Sequence, residues 1–271
     1  MVTKLKSKEE SFDIHLPLNG NALLEKTLYN INLNVEIRTL WKVINVNAIE
    51  RLGMSDHGPV HFQIVANIAL RLARLLQDAG VKMSITKNYD LSDDYAEVVV
   101  LCASLFHDLG MSIEREGHET FSLILANNIL RETLSFLPLK EKTIVASEIL
   151  HAIISHRAGG RPLTIEAGIV RVADALDMSE GRSRIPYEAG EVNIHSVSAA
   201  AIDKVEIRKG KEKPILVNIM MNNSAGIFQI DDLLKSKVKG SGLEKFIDVI
   251  ATMSEKGEKK LIDKLSFKEE V

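Results

Sequence analysis

An imidazole and a carboxylate stand side by side at His107 and Asp108 in ASLFHDLGMSIEREGHETFSLILA, the stretch from Ala103 to Ala126. His118 follows where the next apolar-periodic run begins. Both groups can give lone pairs to a metal ion. Consecutive helical positions point about 100° apart, so the two cannot share a helix face. They converge on one point only if that point lies beside the helix end.

Of eight histidines, His61, His107, His118, His151 and His156 are the candidates for ligand roles. Taken singly, each is more often a cap, a surface group or a hydrogen-bonded core side chain than a ligand. Position sorts them. His61 opens a helix, His107 sits near the end of one, His118 opens another and His156 closes another. Four imidazoles at helix ends can face one mouth while the helix bodies pack a dry core. His151 and His156 lie about 140° apart around a helix, so they cannot both face one ion. His156 is the choice because the glycine-rich RAGGRP follows it, and His151 is then a buried structural histidine.

Asp174 lies one position from the apolar stripe Ile169, Val172, Ala173 and Leu176. A half-buried carboxylate there needs a partner charge or a metal, and a salt bridge to Arg171 or Arg182 would serve as well as ligation. Asp177, three residues on, suits a role in orienting a ligand histidine.

The elements that must carry these groups are helices. Apolar residues recur at helical spacing from about 22 to 180. HFQIVANIALRLARLLQDAG sets Ile64, Ile68, Leu72 and Leu75 on one stripe, after Pro59 in the first turn and before a stop at Gly80. SDDYAEVVVLCASLFHDLG opens on Ser92 as N-cap and ends at Gly110, and further helices are expected at about 118–135, 140–156 and 164–178. After Gly190 the pattern turns to strands: AIDKVEIR and PILVNIMM form a hairpin around KGKEK. Ser241 and Glu244 have capping-box spacing and introduce LEKFIDVIATM as a short amphipathic helix. The expected fold class is mainly α, a helical domain over 1–190 with a small α+β appendage over 191–271.

Composition bounds the rest. The chain has 271 residues, 45% hydrophobic and 26% charged, which is ordinary for a globular protein. A formal net charge of -3 gives no electrostatic reason to expect nucleic acid or an anionic membrane. No apolar stretch reaches the roughly 20 residues of a membrane span, and the first residues lack a signal-peptide core. The single cysteine, Cys102, reads as a buried thiol, and the expected location is a reducing cytoplasm.

In order, His61, His107-Asp108, His118, His156 and Asp174 read H…HD…H…H…D. This resembles the HD-domain superfamily of metal-dependent phosphohydrolases in its six-ligand, two-metal form. HGPVHFQIVANIALRLA resembles the family's first-histidine helix, LCASLFHDLG its HD segment and GIVRVADALD its final-aspartate helix. The likeness covers about residues 50 to 185 and implies a helical bundle. It implies one metal on His61, His107, Asp108 and Asp174, with Asp108 bridging to a second on His118 and His156. The cofactors would be two divalent transition metal ions, and Fe, Mn, Zn, Ni and Co all suit such donors. A branch that cleaves cyclic dinucleotides carries HDxGK and GYP, where this chain has HDLGM and GGRP.

Two adjacent metals activate a water and clamp the oxygens of a phosphoryl displacement. The implied reaction is hydrolysis of a nucleotide or another small phosphate ester. Arg182 and Arg184 follow the Asp174 helix, which aims them toward the metal mouth, and Arg157 and Arg161 stand beside His156. Guanidinium groups suit phosphate oxygens, although each arginine also reads as an ordinary surface residue. His57 could touch substrate or cap the His61 helix. Two rival readings are a di-iron oxygenase on the same ligands and a non-catalytic nucleotide-binding or interaction module. The appendage is expected to govern substrate access or homo-oligomer formation through an exposed edge strand, and its lysines at 209–213 and 235–239 to be solvated faces.

Overall fold

Three consecutive valines, Val98 to Val100, would favour a strand by propensity alone, yet they lie inside the helix α5 (Asp93–Phe106). Tertiary burial overrides the preference: every residue from Ala96 to Phe106 is buried, so α5 is covered on all sides. The structure, a computed structural model, describes residues 12–157, 159–178 and 194–254. Around α5 pack α1 (Ala22–Leu33), α3 (Pro59–Asp78), α7 (Leu139–Ser155) and α8 (Ile165–Leu176). Outside them lie α2 (Val35–Asn45), the short α4 (Ser84–Tyr89) and α6 (His118–Thr133). Glu97, the buried acid of α5, is answered by Arg74 at 2.7 and 3.0 Å and by Asn21 at 3.1 Å.

α3 begins with Pro59 at its first turn, as the sequence predicts. Its buried face differs from the expected stripe: Phe62, Val65, Ala66, Ala69, Leu72, Ala73 and Leu76 are buried, while Ile64 is exposed. The alanines let α5 and α8 approach closely on two sides, so small residues occupy the centre of the bundle. In α8 the predicted stripe of Ile169, Val172, Ala173 and Leu176 is buried throughout. Ser92 holds the N-cap position of α5, although its side chain makes no capping bond.

Beyond the short helix α9 (Ile194–Ala200), β1 (Ile202–Lys209) and β2 (Ile215–Met221) form the expected antiparallel hairpin. Ile215, Val217, Ile219 and Met221 alternate inward and join the core of the helical bundle. A helical segment follows, here α10, made of Gly226–Phe228, a π-helical Gln229–Leu234 and Lys235–Val238.

The predicted helix after Ser241 is instead a strand, β3 (Ile247–Met253), parallel to β2 in the sheet order β1-β2-β3. Ser241 and Glu244 are used in a turn: Ser241 Oγ accepts from Leu243 N, and Glu244 Oε1 accepts from Gly240 N. Gly240 and Gly242 both have a φ of +78°, which breaks the path into a helix. β-Branched Ile247, Val249, Ile250 and Thr252 then suit the ladder with β2. Among the described residues no helix is long and apolar enough to cross a membrane.

Candidate metal centre

α5 ends at Phe106. His107 keeps helical angles as its C-cap, and Asp108 turns away at φ −104°, ψ 12° into a one-turn 3-10 helix, Leu109–Ser112. That break lets neighbouring residues face one point. The exposed carbonyls of the helix end are satisfied locally: His107 Nδ1 donates to Ser104 O at 2.9 Å and Trp41 Nε1 to Leu105 O at 3.2 Å. Gly110 permits the next approach, because a Cβ there would lie 1.9 Å from His118 O. Its N–H donates to Ser122 Oγ at 2.8 Å, which docks the start of α6 against the HD turn.

The start of α3 is held as firmly. Asp56 Oδ1 accepts from Gly58 N at 3.0 Å and from His61 N at 3.4 Å, so this aspartate serves the helix start. Asn45 ties the same loop, accepting from His57 N at 3.1 Å and donating to Asp56 Oδ2 at 2.8 Å.

Four imidazoles share one wiring scheme. His107, His118 and His156 each donate Nδ1–H to the carbonyl three residues back, those of Ser104, Arg115 and Ile153, at 2.7 to 2.9 Å. Arg115 Nη1 also lies 3.1 Å from His118 Nδ1, but the shorter carbonyl contact requires the proton on the ring. His61 donates Nδ1–H to Asp177 Oδ2 at 2.6 Å. With Nδ1 committed, Nε2 of each ring is the atom turned to the shared centre. His61 Nε2 and His107 Nε2 lie only 3.3 Å apart. Two imidazole lone pairs at that distance repel unless a cation lies between them.

Both carboxylates face these nitrogens. Asp108 places Oδ2 3.5 Å from His107 Nε2, and Oδ1 2.9 Å from His118 Nε2 and 3.6 Å from His156 Nε2. Its two oxygens thus span two halves of the site. Asp174 Oδ1 lies 3.7 Å from both His61 Nε2 and His107 Nε2. Among the described residues, three donor groups are close enough to hold an ion: His61, His107 and Asp174; His107, Asp108 and His156; His118, Glu119 and His156. The donor set, nitrogen and carboxylate oxygen in a buried pocket, fits divalent transition metals.

Electrostatics at the centre agree. Burial opposes the charge on Asp108, but His107, His118 and His156 outweigh it and hold the carboxyl well below the usual range. Burial opposes Asp174 similarly, and Lys237 with the surrounding histidines outweighs it. Burial lowers His107, and burial with His107 and Lys237 pushes His156 down to about 3. Burial works against His118 too, yet its bond to Asp108 raises it.

A family model for the HD domain matches residues 60–179. The chain is 41% identical over 236 residues to "Uncharacterized protein MJ1020" of Methanocaldococcus jannaschii, an alignment spanning 86% of this chain and 91% of that protein. The chain belongs to the HD domain family. No solved structure matches it. The HD superfamily is one of metal-dependent hydrolases, and the His/Asp cluster of this HD domain could hold a metal.

The structure thus brings His61, His107, Asp108, His118, His156 and Asp174 together. His57 lies beside them, its ring 5.6 Å from that of His61 and its Nδ1 on Ser55 O at 2.7 Å. Arg157 is at the rim, with Nη1 3.9 Å from Glu119 Oε2 and its side chain 58% exposed. Arg182 and Arg184 lie outside the described residues. His151 sits apart and half-buried, with Nε2 accepting from Leu163 N at 2.9 Å.

Two residues escape the sequence reading. Glu119 is buried with Oε1 3.8 Å from His118 Nε2. Its position next to His118 was the available signal, but in sequence it reads as a first-turn acid. Lys237 departs from the reading of 235–239 as a solvated face, which the exposed Lys235 and Lys239 fit: its Nζ donates to Asp174 Oδ2 at 3.0 Å and to His156 O at 2.7 Å. Arg171 is not the partner of Asp174; its guanidinium binds the carbonyls of Gly160, Ser236, Lys237 and Lys239.

Proposed function

We propose that this HD domain is a metal-dependent phosphohydrolase or phosphodiesterase that hydrolyses a nucleotide or another small phosphate ester. The observation that carries the reading is the shared wiring of four histidines, each with Nδ1 committed and Nε2 turned toward Asp108 and Asp174. His61, His107 and Asp174 would hold one divalent transition metal, and His118 and His156 a second, with Asp108 between them. When bound, the pair supplies an acidified water and Lewis-acid polarisation of phosphoryl oxygens.

The chain's own residues supply the rest. Asp177 fixes the ring of His61, as the sequence suggested. Glu119 offers a further oxygen on the His118 side. Arg157 at the rim, and Arg182 and Arg184 after α8, are the groups suited to the phosphate oxygens, with His57 beside His61 as a further contact. The lone thiol of Cys102 is buried, which raises its pKa and suits an inert group in a reducing cytoplasm.

The test is a screen of nucleotides and phosphodiesters for phosphate or monoester release, with protein loaded separately with Mn, Fe, Co, Ni or Zn. The reading expects metal-dependent hydrolysis that proceeds equally with and without dioxygen and stops in Asp108→Ala. Substrate turnover that requires dioxygen and breaks no phosphate ester would favour the oxygenase class instead.

A further inference from the structure

We infer that Lys237 is a positioning residue for Asp174, and that through it residues 235–243 form a wall of the metal centre and weaken its hold on the ion. The inference rests on the metal-binding reading above.

Lys237 comes from α10, 63 residues after Asp174, and its side chain is only 16% exposed. Its ammonium occupies Asp174 Oδ2 at 3.0 Å and leaves Oδ1 turned to His61 and His107, each at 3.7 Å. The second bond, to His156 O at 2.7 Å, ties the same ammonium to the end of α7. One cation thus touches the backbone or side chain of a candidate ligand from each half of the site.

A lysine stem is flexible, so fixing it requires a fixed backbone. α8 provides that backbone contact. Arg171 is the i,i+3 neighbour of both Gly168 and Asp174 on the surface of α8. At Gly168 a Cβ would fall 2.2 Å from Ser241 O, so the close approach of the C-terminal segment needs a glycine. Arg171, 2% exposed, donates to Lys237 O at 2.8 Å, Ser236 O at 3.0 Å and Gly160 O at 2.6 Å. It therefore clasps the Lys237 turn and the loop after His156 with one guanidinium. Leu234 and Leu243, on either side, are buried. Lys235, two residues away, shows the contrast: it is 72% exposed and pairs only locally with Asp231.

Two effects of Lys237 on metal binding oppose each other. Holding Asp174 in place saves the entropy of ordering one carboxylate, which is small. Placing a buried positive charge beside a dication site costs Coulomb energy that scales with both charges and is poorly screened. The second effect is larger, so the ammonium lowers affinity and limits Asp174 to one oxygen toward the ion.

The experiment measures Zn²⁺ and Mn²⁺ affinity by competition with a chromogenic chelator, on full-length wild type, K237M, K237R and K235M. K237M should bind metal about 10-fold more tightly and show a larger metal-induced rise in Tm, while K237R and K235M stay within about 3-fold of wild type. Should K237M not fold, K237Q, which removes the charge and keeps a polar end, carries the same expectation. A purely structural role would lower Tm equally with and without metal and leave affinity unchanged. Unchanged or weaker affinity in the neutral variants overturns the inference while leaving the metal-binding reading intact. A wild type that takes up no metal overturns the reading beneath it.

Discussion

The Asp177 carboxylate accepts the Nδ1 proton of His61 at 2.6 Å, and both side chains are buried. This pair differs from the other three histidines of the cluster, whose Nδ1 protons go to backbone carbonyls. A carboxylate partner fixes the ring orientation and the tautomer that turns Nε2 to the centre. Asp177→Ala should therefore lower metal affinity by about 10- to 100-fold with the helical fold intact, read by chelator competition and circular dichroism. Unchanged affinity would remove Asp177 from the metal centre.

Glu119 and Arg157 should separate cleanly. Glu119→Ala removes an oxygen 3.8 Å from His118 Nε2 and should weaken the ion on that side by about 10-fold. Arg157→Ala, at the exposed rim, should leave metal content unchanged and raise KM on the true substrate; Arg182→Ala and Arg184→Ala should raise KM or lower kcat likewise. Metal loss in any arginine variant would contradict their assignment to the phosphate.

Gly110→Ala should be the most damaging substitution that touches no donor atom. The new Cβ would meet His118 O at 1.9 Å and Ser122 N at 2.7 Å, both backbone atoms that cannot step aside alone. A loss of about 3 kcal/mol in unfolding free energy is expected, with α6 and His118 displaced. Gly117→Ala is the control: its φ of +68° costs about 1 kcal/mol, but nothing lies within 4 Å of the added methyl. Urea titrations of both variants give the comparison, and an equal cost in the two would refute the packing argument.

Glu166 gives a pH-dependent prediction away from the centre. It is fully buried, Oε1 accepts from Ile85 N at 2.9 Å, and Oε2 has no partner among the described residues. Burial, with the charge of Glu148 adding, raises its pKa above 4.5. The folded state therefore holds this proton more tightly than the unfolded chain. Its stabilising effect is complete below about pH 4.5 and is lost as pH rises through the folded value. Glu166→Gln, which cannot ionise, should be more stable than wild type at pH 8 by about 1 kcal/mol and lose that advantage at pH 4. Equal Tm differences at both pH values would contradict the burial argument.

Much of this arrangement was legible in the sequence because donors at helix ends leave local marks. His61, His107, His118 and His156 flank readable amphipathic runs, and Asp174 stands beside a clean apolar stripe that the structure buries. What stayed hidden depends on tertiary contact. Lys237 reaches Asp174 only because Gly168 and Arg171 dock a distant segment, and no local pattern marks that docking. The turn before β3 carries capping-box spacing at Ser241 and Glu244, a local signal that pairing of β3 with β2 overrides. In α3 the large apolar residues suggested one stripe, whereas the smaller alanines mark the close contacts at the bundle centre.

The most direct test of the central claim is metal stoichiometry by mass spectrometry of purified wild type and Asp108→Ala, each loaded with excess Mn²⁺ and desalted. Asp108 faces both halves of the site, with Oδ2 toward His107 and Oδ1 toward His118 and His156. About two ions per wild-type chain are expected, and no more than one in Asp108→Ala, whose loss would leave two cations facing each other without a bridge. Full metal content in Asp108→Ala, or none in wild type under any loading, would contradict a two-metal centre built on these residues.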